Sequence, residues 1–142
     1  MIGLGLDDHA GAPAGHGERV LVIEDDPSLA AMTSGRLEAL GYQVTLETDG
    51  ERALATFRER PATFDLVVSD HLLPGVLGLD LAREIHGLRP GVPILLLTGR
   101  LAHASDEAIR SAGVRRVLEK PVTLGELGRA VRDLLGGTGA GE

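Results

Sequence analysis

The chain has no cysteine among its 142 residues, so neither disulfides nor a cysteine-ligated structural metal can stabilise it. It does not need them, because folding a domain of this size removes roughly two-thirds of the unfolded chain's surface from water. Hydrophobic residues make up 43% of the sequence, which is typical of a globular domain rather than a disordered chain.

The sequence also has no excess of basic charge, few aromatic residues and no long apolar run. Acidic residues outnumber basic ones by 21 to 14, the net charge is −7, and the aromatics are two Phe and one Tyr. Nucleic acids bind to clustered basic residues and stack on aromatic rings, so we expect no direct nucleic-acid partner. Apolar runs as short as Ile94 to Leu97 cannot span a bilayer, which requires ~20 residues. We therefore expect a cytoplasmic protein without a membrane partner.

The sequence does contain a fivefold alternation of short apolar runs and amphipathic segments. The runs are VLVI at 20–23, YQVTL at 42–46, DLVV at 65–68, ILLL at 94–97 and RRVL at 115–118. Each is followed by apolar residues at helical spacing, such as Leu124, Leu127 and Val131 after the fifth run. This alternation predicts an α/β fold in which helices cover both faces of a parallel sheet.

The character of each run indicates where its strand lies in the sheet. The first, third and fourth runs are continuously apolar, as in central parallel strands, whereas Tyr42, Val44 and Leu46 alternate with polar residues. The second and fifth strands are therefore predicted to lie at the edges. This predicts a flavodoxin-like, doubly wound, five-stranded sheet of order 2-1-3-4-5. The order 1-2-3-4-5 fits less well, because it would put the first strand at an edge.

Polar residues follow four of the five strands, at the end of the sheet where doubly wound folds bind ligands. They are Glu24, Asp25 and Asp26 after the first strand, Asp70 after the third, Thr98 and Gly99 after the fourth, and Lys120 and Pro121 after the fifth. Because the carboxyl ends of parallel strands meet at one edge, we expect these residues to converge on one small site.

The acidic residues in this set indicate two roles. Asp26 precedes Pro27 and is predicted to cap the first helix. Capping does not explain Glu24 and Asp25, which would repel Asp70 across the neighbouring strand unless a divalent cation binds there. Oxygen ligands without cysteine favour Mg²⁺.

Thr98 and Lys120 extend the prediction from a metal to a phosphoryl group. A hydroxyl and an ammonium beside a metal-bound carboxylate supply hydrogen-bond donors for phosphoryl oxygens. His71 follows Asp70 directly, and the alternation of side chains along a strand predicts that it faces away from the site. We assign no chemistry to any of the five histidines.

Together, these motifs resemble those of the receiver domain of two-component response regulators, including the chemotaxis type. The resemblance covers about residues 18–136 and is carried by VLVIEDDP, VVSDHLLPGVLGLDL, ILLLTG and VLEKP, in order and at strand spacing. It implies that Asp70 accepts a phosphoryl group from the phosphohistidine of a sensor histidine kinase or a histidine phosphotransfer protein. It further implies a signalling module rather than an enzyme, which switches conformation to control a downstream protein.

The resemblance also implies a ligand set for Mg²⁺. Glu24 and Asp25 match the acidic pair that holds the ion, Asp25 directly and Glu24 through water. Asp70 and the backbone carbonyl of Leu72 would complete the protein's share.

Other residues match the family's phosphoryl-binding positions. Thr98 matches the hydroxyl residue that moves to the phosphoryl group, Gly99 the small residue beside it, and Lys120 the salt-bridging lysine. The bond between Lys120 and Pro121 resembles one that is cis in the family.

Two positions depart from the family pattern. Val117 stands where the family usually has the Tyr or Phe that switches rotamer, and Val122 stands where a Phe often follows the Lys-Pro pair. The phosphorylation chemistry should survive both changes, but an aromatic switch cannot operate at Val117.

Domain boundaries and alternative functions complete the expectation. We expect a flexible tail or linker at 1–17, the receiver domain at 18–136 and a short disordered tail at 137–142, as a stand-alone protein or one excised from a hybrid kinase. One alternative is a pseudo-receiver that only binds partners, although no acceptor, acid or lysine is missing. The other is a haloacid dehalogenase-type phosphatase, whose nucleophile would follow the first strand in a D-x-D pattern that this sequence lacks.

Overall fold

Five parallel strands form the central sheet in the computed structural model of the protein, which describes residues 13–99 and 105–137. The strands are β1 Arg19–Ile23, β2 Gln43–Glu47, β3 Leu66–Asp70, β6 Ile94–Thr98 and β7 Val114–Glu119, and a separate hairpin consists of β4 Leu72–Leu73 and β5 Val76–Leu77. The helices are α1 Pro27–Ala39, α2 Gly50–Glu59, α3 Gly78–Leu88, α4 Asp106–Ser111 and α5 Leu124–Arg132, followed by a π-helical turn, Asp133–Gly137. None of the helices described here has the length and hydropathy that a membrane span requires.

The order of the sheet is β2-β1-β3-β6-β7. Without the two hairpin strands this is the predicted order 2-1-3-4-5, which is confirmed. The continuously apolar strands β3 and β6 are buried along their whole length, whereas β2 is largely exposed at one edge. The central strands are thus the ones buried on both faces, as expected for a parallel sheet.

Helices on the two faces of the sheet enclose two separate cores. Val22 packs with Leu127 on the face covered by α1 and α5, which we call the α1–α5 face. Its neighbour Ile23 packs with Phe57 on the opposite face, which we call the α2–α4 face. Successive side chains of each strand point to opposite faces, so position along a strand decides which face a residue serves.

Local capping starts α1 where the sequence predicts it. The Asp26 carboxylate accepts hydrogen bonds from the backbone N–H groups of Ser28, at 2.8 Å, and Leu29, at 3.2 Å, and Pro27 is the first helical residue. The predicted capping role of Asp26 is confirmed. Its side chain is thereby committed to the helix.

The hairpin after β3 is a feature that the sequence analysis did not predict. Leu72 pairs with Leu77, and the chain reverses at Pro74 and Gly75, where Gly75 has a φ of +79° that disfavours other residues. The hairpin returns the chain toward β3 before α3 begins. It therefore closes one side of the predicted site.

Part of the predicted N-terminal tail packs against the turn between α1 and β2. Residues 1–12 lie outside the described residues, but Gly15 N–H donates to the carbonyl of Leu40, at 2.6 Å, and Gly17 N–H donates to that of Gly41, at 2.8 Å. Gly15 and Gly17 therefore belong to the packed part of the chain rather than to a free tail. The predicted C-terminal tail lies outside the described residues except for Gly137.

Candidate functional site

Asp70 is the last residue of β3, and its side chain is almost completely buried. It lies in register with Leu97 of β6, which packs on the α1–α5 face. The backbone N–H of His71 donates to Asp70 Oδ1 at 2.9 Å. A buried strand thus ends in a carboxylate that the next peptide group already orients.

Lys120, which follows β7, reaches the same carboxylate from the far edge of the sheet. Its Nζ lies 3.0 Å from Asp70 Oδ1 and 3.3 Å from Glu24 Oε1. Its backbone N–H donates to the carbonyl of Thr98 at 2.8 Å, which aligns the end of β7 with that of β6. The peptide bond between Lys120 and Pro121 is cis, as the sequence analysis predicts.

Glu24, Asp25 and Asp70 form a cluster of carboxylates. Each offers one oxygen atom, and these oxygens all lie within 4.8 Å of one another. Glu24 is buried, and its Oε2 accepts a hydrogen bond from the backbone N–H of Asp26 at 3.2 Å. The three acids that the sequence singles out as metal ligands are therefore brought together.

The electrostatics of this cluster are those of a crowded, partly buried acidic site. Burial raises the pKa of Glu24 above its ordinary value, the negative charge of Asp70 adds to the rise, and the Asp26 N–H and Lys120 oppose it. For Lys120, burial lowers the pKa, but its hydrogen bond to Asp70 and the charges of Asp70 and Glu24 outweigh burial, so the pKa lies above its ordinary value. Lys120 therefore remains a cation at neutral pH.

Thr98 and Gly99 lie at the carboxyl end of β6, beside Asp70. The Thr98 side chain is buried, and Gly99 is exposed. A Cβ atom added at Gly99 would meet no atom within 4 Å. Packing within this structure therefore does not require glycine there, and the predicted role of Gly99 stays a prediction.

Gly78 supports the other side of the site. A Cβ at this position would come closer than 3.0 Å to the carbonyl oxygen of Asp70 and to the Cα of His71. Its backbone N–H donates to the carbonyl of His71 at 2.6 Å, which closes the hairpin that carries Leu72. Only glycine allows this close approach, so Gly78 fixes the backbone around the proposed acceptor and the predicted carbonyl ligand.

Arg36 is a residue that the sequence analysis missed. From α1, its Nη1 donates to the carbonyl of Val122 at 2.8 Å, just after Lys120 and Pro121. Beside it, a groove runs between α1 and this segment, with apolar side chains such as Met32 along it. Arg36 is 86 positions away from Val122 in the sequence and belongs to none of the motifs. No sequence signal therefore identifies this contact.

The two valines that depart from the family pattern lie on opposite faces of the sheet. Val117 is half-buried and packs against the core of the α2–α4 face, in register with Leu96. Val122 packs against the core of the α1–α5 face. Neither brings a polar atom to the carboxylate cluster.

A protein-family model described as the response regulator receiver domain matches residues 20–132. The chain belongs to this family. The match includes all the strands and helices that converge on Asp70. The resemblance inferred from the four motifs is thereby confirmed.

Relatives of this receiver domain include a regulator and solved structures. The probable transcriptional regulatory protein TcrX of Mycobacterium tuberculosis is 39% identical over 121 residues, which cover 84% of this chain and 50% of that protein. The response regulator TrrA of Thermotoga maritima, solved in complex with Mg²⁺ and BeF, aligns with a TM-score of 0.75 and 30% identity, over 84% of this chain and 99% of that one. The receiver domain of a Pseudomonas aeruginosa sensor histidine kinase was solved with a magnesium ion in its active-site cleft. It aligns with a TM-score of 0.75 and 31% identity, over 84% of this chain and 98% of that one.

The receiver domain corresponds to only part of some of its longer relatives. The chain spans about half the length of TcrX, so the activity of such a longer protein is not a property of this domain alone. Receiver domains of this family occur both in a regulator and in a sensor kinase.

Proposed function

We propose that this receiver domain takes a phosphoryl group from a phosphohistidine onto Asp70 and then changes conformation to control a partner protein. The observation that carries the proposal is the contact between Lys120 Nζ and Asp70 Oδ1, at 3.0 Å, beside two further carboxylates. One buried carboxylate with a cation in place and donors nearby is suited to accept an anionic group.

The transfer itself requires little from the protein beyond position and charge. A carboxylate oxygen of Asp70 attacks phosphorus, the bond from phosphorus to the donor's imidazole nitrogen breaks, and its electron pair stays on that nitrogen. The product is an acyl phosphate on Asp70. Lys120 would hold a phosphoryl oxygen as a point charge, and the Thr98 hydroxyl would donate to another.

The residues present fit a magnesium ion. Glu24, Asp25 and Asp70 offer only oxygen, the ligand that Mg²⁺ prefers, and the excess of negative charge around one lysine calls for a further cation. Asp25, Asp70 and the backbone carbonyl of Leu72 would hold the ion, with Glu24 acting through water. When bound, Mg²⁺ neutralises charge that develops on the phosphoryl oxygens.

We infer partners from the same chemistry. The phosphodonor is a sensor histidine kinase or a histidine phosphotransfer protein, and the output is a protein contact rather than direct nucleic-acid or membrane binding. The domain acts alone or as part of a hybrid kinase, and the similar receiver domain of the Pseudomonas aeruginosa sensor histidine kinase supports the second arrangement. The cytoplasm, where such phosphorelays begin, is its expected location.

Two alternatives are less well supported. A pseudo-receiver would lack part of the site, yet the three acids offer oxygens within 4.8 Å of one another and Lys120 Nζ lies 3.0 Å from Asp70 Oδ1. A haloacid dehalogenase-type phosphatase would place its nucleophile after β1, whereas Lys120 contacts Asp70 after β3.

Intact-mass spectrometry tests the proposal directly. The protein is incubated with Mg²⁺ and a small acyl phosphate donor, and we expect a gain of one phosphoryl group that chelation of Mg²⁺ prevents. Asp70→Asn should abolish the gain, while Asp49→Asn, which changes the carboxylate that caps α2, should not. Full labelling of Asp70→Asn would show that the acceptor lies elsewhere.

A further inference from the structure

His71 has a buried polar atom for which the proposed chemistry has no use. The residue is 9% exposed, and its Nδ1 has no hydrogen-bond partner in the part of the chain that the structure describes. Its backbone is fully committed, because the N–H contacts Asp70 Oδ1 and the carbonyl of Leu97, and the carbonyl accepts from Gly78. The imidazole is thus held in place with an unused hydrogen-bonding nitrogen.

The register of the sheet brings the backbone of His71 opposite that of Thr98. Asp70, the last residue of β3, pairs with Leu97, and the N–H of His71 donates to the carbonyl of Leu97 at 2.9 Å. The ladder therefore extends one residue beyond β3, where the backbones of His71 and Thr98 lie opposite each other. Leu97 packs on the α1–α5 face, so alternation turns Thr98, the last residue of β6, to the other face, and the same alternation continued past β3 predicts that face for His71. Because adjacent strands lie ~4.8 Å apart, opposing side chains on one face can meet by rotation about χ1.

We propose, on the basis of the function proposed above, that His71 is a positioning residue for Thr98. When the Thr98 hydroxyl donates to the phosphoryl group on Asp70, the Nδ1–H of His71 donates to Thr98 Oγ1. No proton is transferred. His71 donates to Thr98 and Thr98 donates to the phosphoryl group, so the two hydrogen bonds form a chain in which each polarises and strengthens the other. Val117, the residue on this face at the family's switch position, has no polar atom with which to do the same.

This arrangement links the phosphoryl group to the α2–α4 face of the sheet. A buried polar atom without a hydrogen-bond partner costs free energy. A state in which the His71 Nδ1 gains a partner avoids this cost and is therefore favoured. The proposal replaces the prediction that His71 has no chemistry. It keeps the prediction that the His71 side chain points away from the acidic site, and adds Thr98 as its proposed partner.

Three substitutions separate this role from simple packing. Asn carries an N–H close to the position of Nδ1, Gln carries one farther out, and Leu carries none. With beryllofluoride and Mg²⁺ as the probe, measured by calorimetric titration, we expect His71→Asn to bind like the wild type. His71→Leu and His71→Gln should bind about tenfold more weakly. Affinity for Mg²⁺ alone should be the same in all four proteins.

Thr98→Val identifies the partner. In that background, the difference between His71→Asn and His71→Leu should vanish, because no oxygen remains to accept the hydrogen bond. The proposal is overturned if His71→Leu binds the probe like the wild type, or if the difference persists with Val at position 98. A wild type that does not bind beryllofluoride at all contradicts the proposed function instead, and this inference with it.

A spectroscopic measurement on the wild type keeps the test independent of folding in the variants. With ¹⁵N-labelled histidine, the His71 Nδ1 proton should become protected from exchange with water, and the Nδ1 signal should shift, when beryllofluoride and Mg²⁺ are added together. Mg²⁺ alone should leave both unchanged. Identical His71 signals in the two states would rule out the hydrogen bond.

Discussion

At the scale of single residues, the carboxylate cluster is electrostatically unfavourable in the absence of a cation. Glu24, Asp25 and Asp70 approach within 4.8 Å, and Lys120 supplies one positive charge against three negative ones. Two like charges 4 Å apart repel by ~1 kcal/mol in water and ~4 kcal/mol near a protein surface. The site therefore stores a repulsion that a bound cation relieves.

We predict that Asp70→Asn stabilises the metal-free protein, because it removes one of three mutually repelling charges. A gain of ~1 kcal/mol corresponds to a rise in melting temperature of about 4 °C for a domain of this size. Millimolar Mg²⁺ should raise the melting temperature of the wild type and have a smaller effect on the variant. Glu84→Gln, which removes an exposed charge on α3, is the control and should change neither value. A lower melting temperature for Asp70→Asn at neutral pH would mean that the contact with Lys120 outweighs the repulsion.

We predict that Gly78→Ala destabilises the fold by ~1–3 kcal/mol, because its Cβ would push against the backbone of Asp70 and His71. It should also weaken Mg²⁺ binding, since the displaced hairpin carries the proposed carbonyl ligand, Leu72. The control is Gly35→Ala on α1, where nothing lies within 4 Å and an alanine should stabilise the helix by ~0.5–1 kcal/mol. Chemical denaturation measures both. Equal effects of the two substitutions would contradict the role given to Gly78.

At the scale of elements, residues 13–18 act as a strap across the end of the sheet opposite the acidic site. Gly15 lies so close to the ring of Tyr42 that a Cβ would clash with it. Arg132, the last residue of α5, contacts Glu18 Oε2 and His16 Nδ1, each at 3.2 Å. The strap thus joins the start of β1 to the end of α5.

We predict that Arg132→Leu lowers stability at neutral pH by ~0.2–1 kcal/mol, the usual range for a partly exposed ion pair. Burial raises the pKa of Glu18, but the N–H groups of His16 and Glu18 and the Arg132 guanidinium outweigh burial, so the net pKa is lowered. Because the pKa of Glu18 is lower in the folded protein than in the unfolded chain, its carboxylate stabilises the fold at pH values above the ordinary carboxyl pKa. This stabilisation is lost as the pH falls through the folded-state pKa. The difference between variant and wild type should therefore shrink in acid. The control Arg58→Leu should show no such change, and a difference that is constant with pH would contradict the role of Glu18.

Helix α4 is a short helix without fully buried residues. It contains six residues, Asp106–Ser111, and Val117 below it is too short and stiff to swing as an aromatic side chain would. We predict that beryllofluoride with Mg²⁺ shifts the amide signals of α4 and of residues 99–105, of which 100–104 lie outside the described residues. The rotamer of Val117 should stay the same. Val117 methyl couplings that reveal rotamer exchange, with α4 unchanged, would contradict this account.

At the scale of the whole molecule, the sequence predicts those features that local patterns encode. Continuous apolar runs mark the central strands, and Asp26 followed by Pro27 marks the start of α1, because burial and capping act on neighbouring residues. The convergence of Glu24, Asp70 and Lys120 is also predictable, since parallel strands bring their carboxyl ends to one edge.

Features that depend on contacts between distant segments could not be predicted in the same way. The hairpin at Leu72 depends on the missing Cβ of Gly78, the hydrogen bond from Arg36 joins two elements that no motif connects, and the strap depends on Arg132 at the end of α5. That the Nδ1 of His71 has no hydrogen-bond partner among the described residues is visible only once the packing around it is known.

The most direct test of the central claim is to locate the phosphoryl group on the chain. After labelling with a small acyl phosphate and Mg²⁺, borohydride reduces an acyl phosphate of aspartate to homoserine, and peptide mass spectrometry identifies the residue that has changed. We expect homoserine at position 70 and intact aspartate at positions 25 and 26. Reduction at another aspartate, or label that persists without any reducible acyl phosphate, would contradict the assignment of Asp70 as the acceptor.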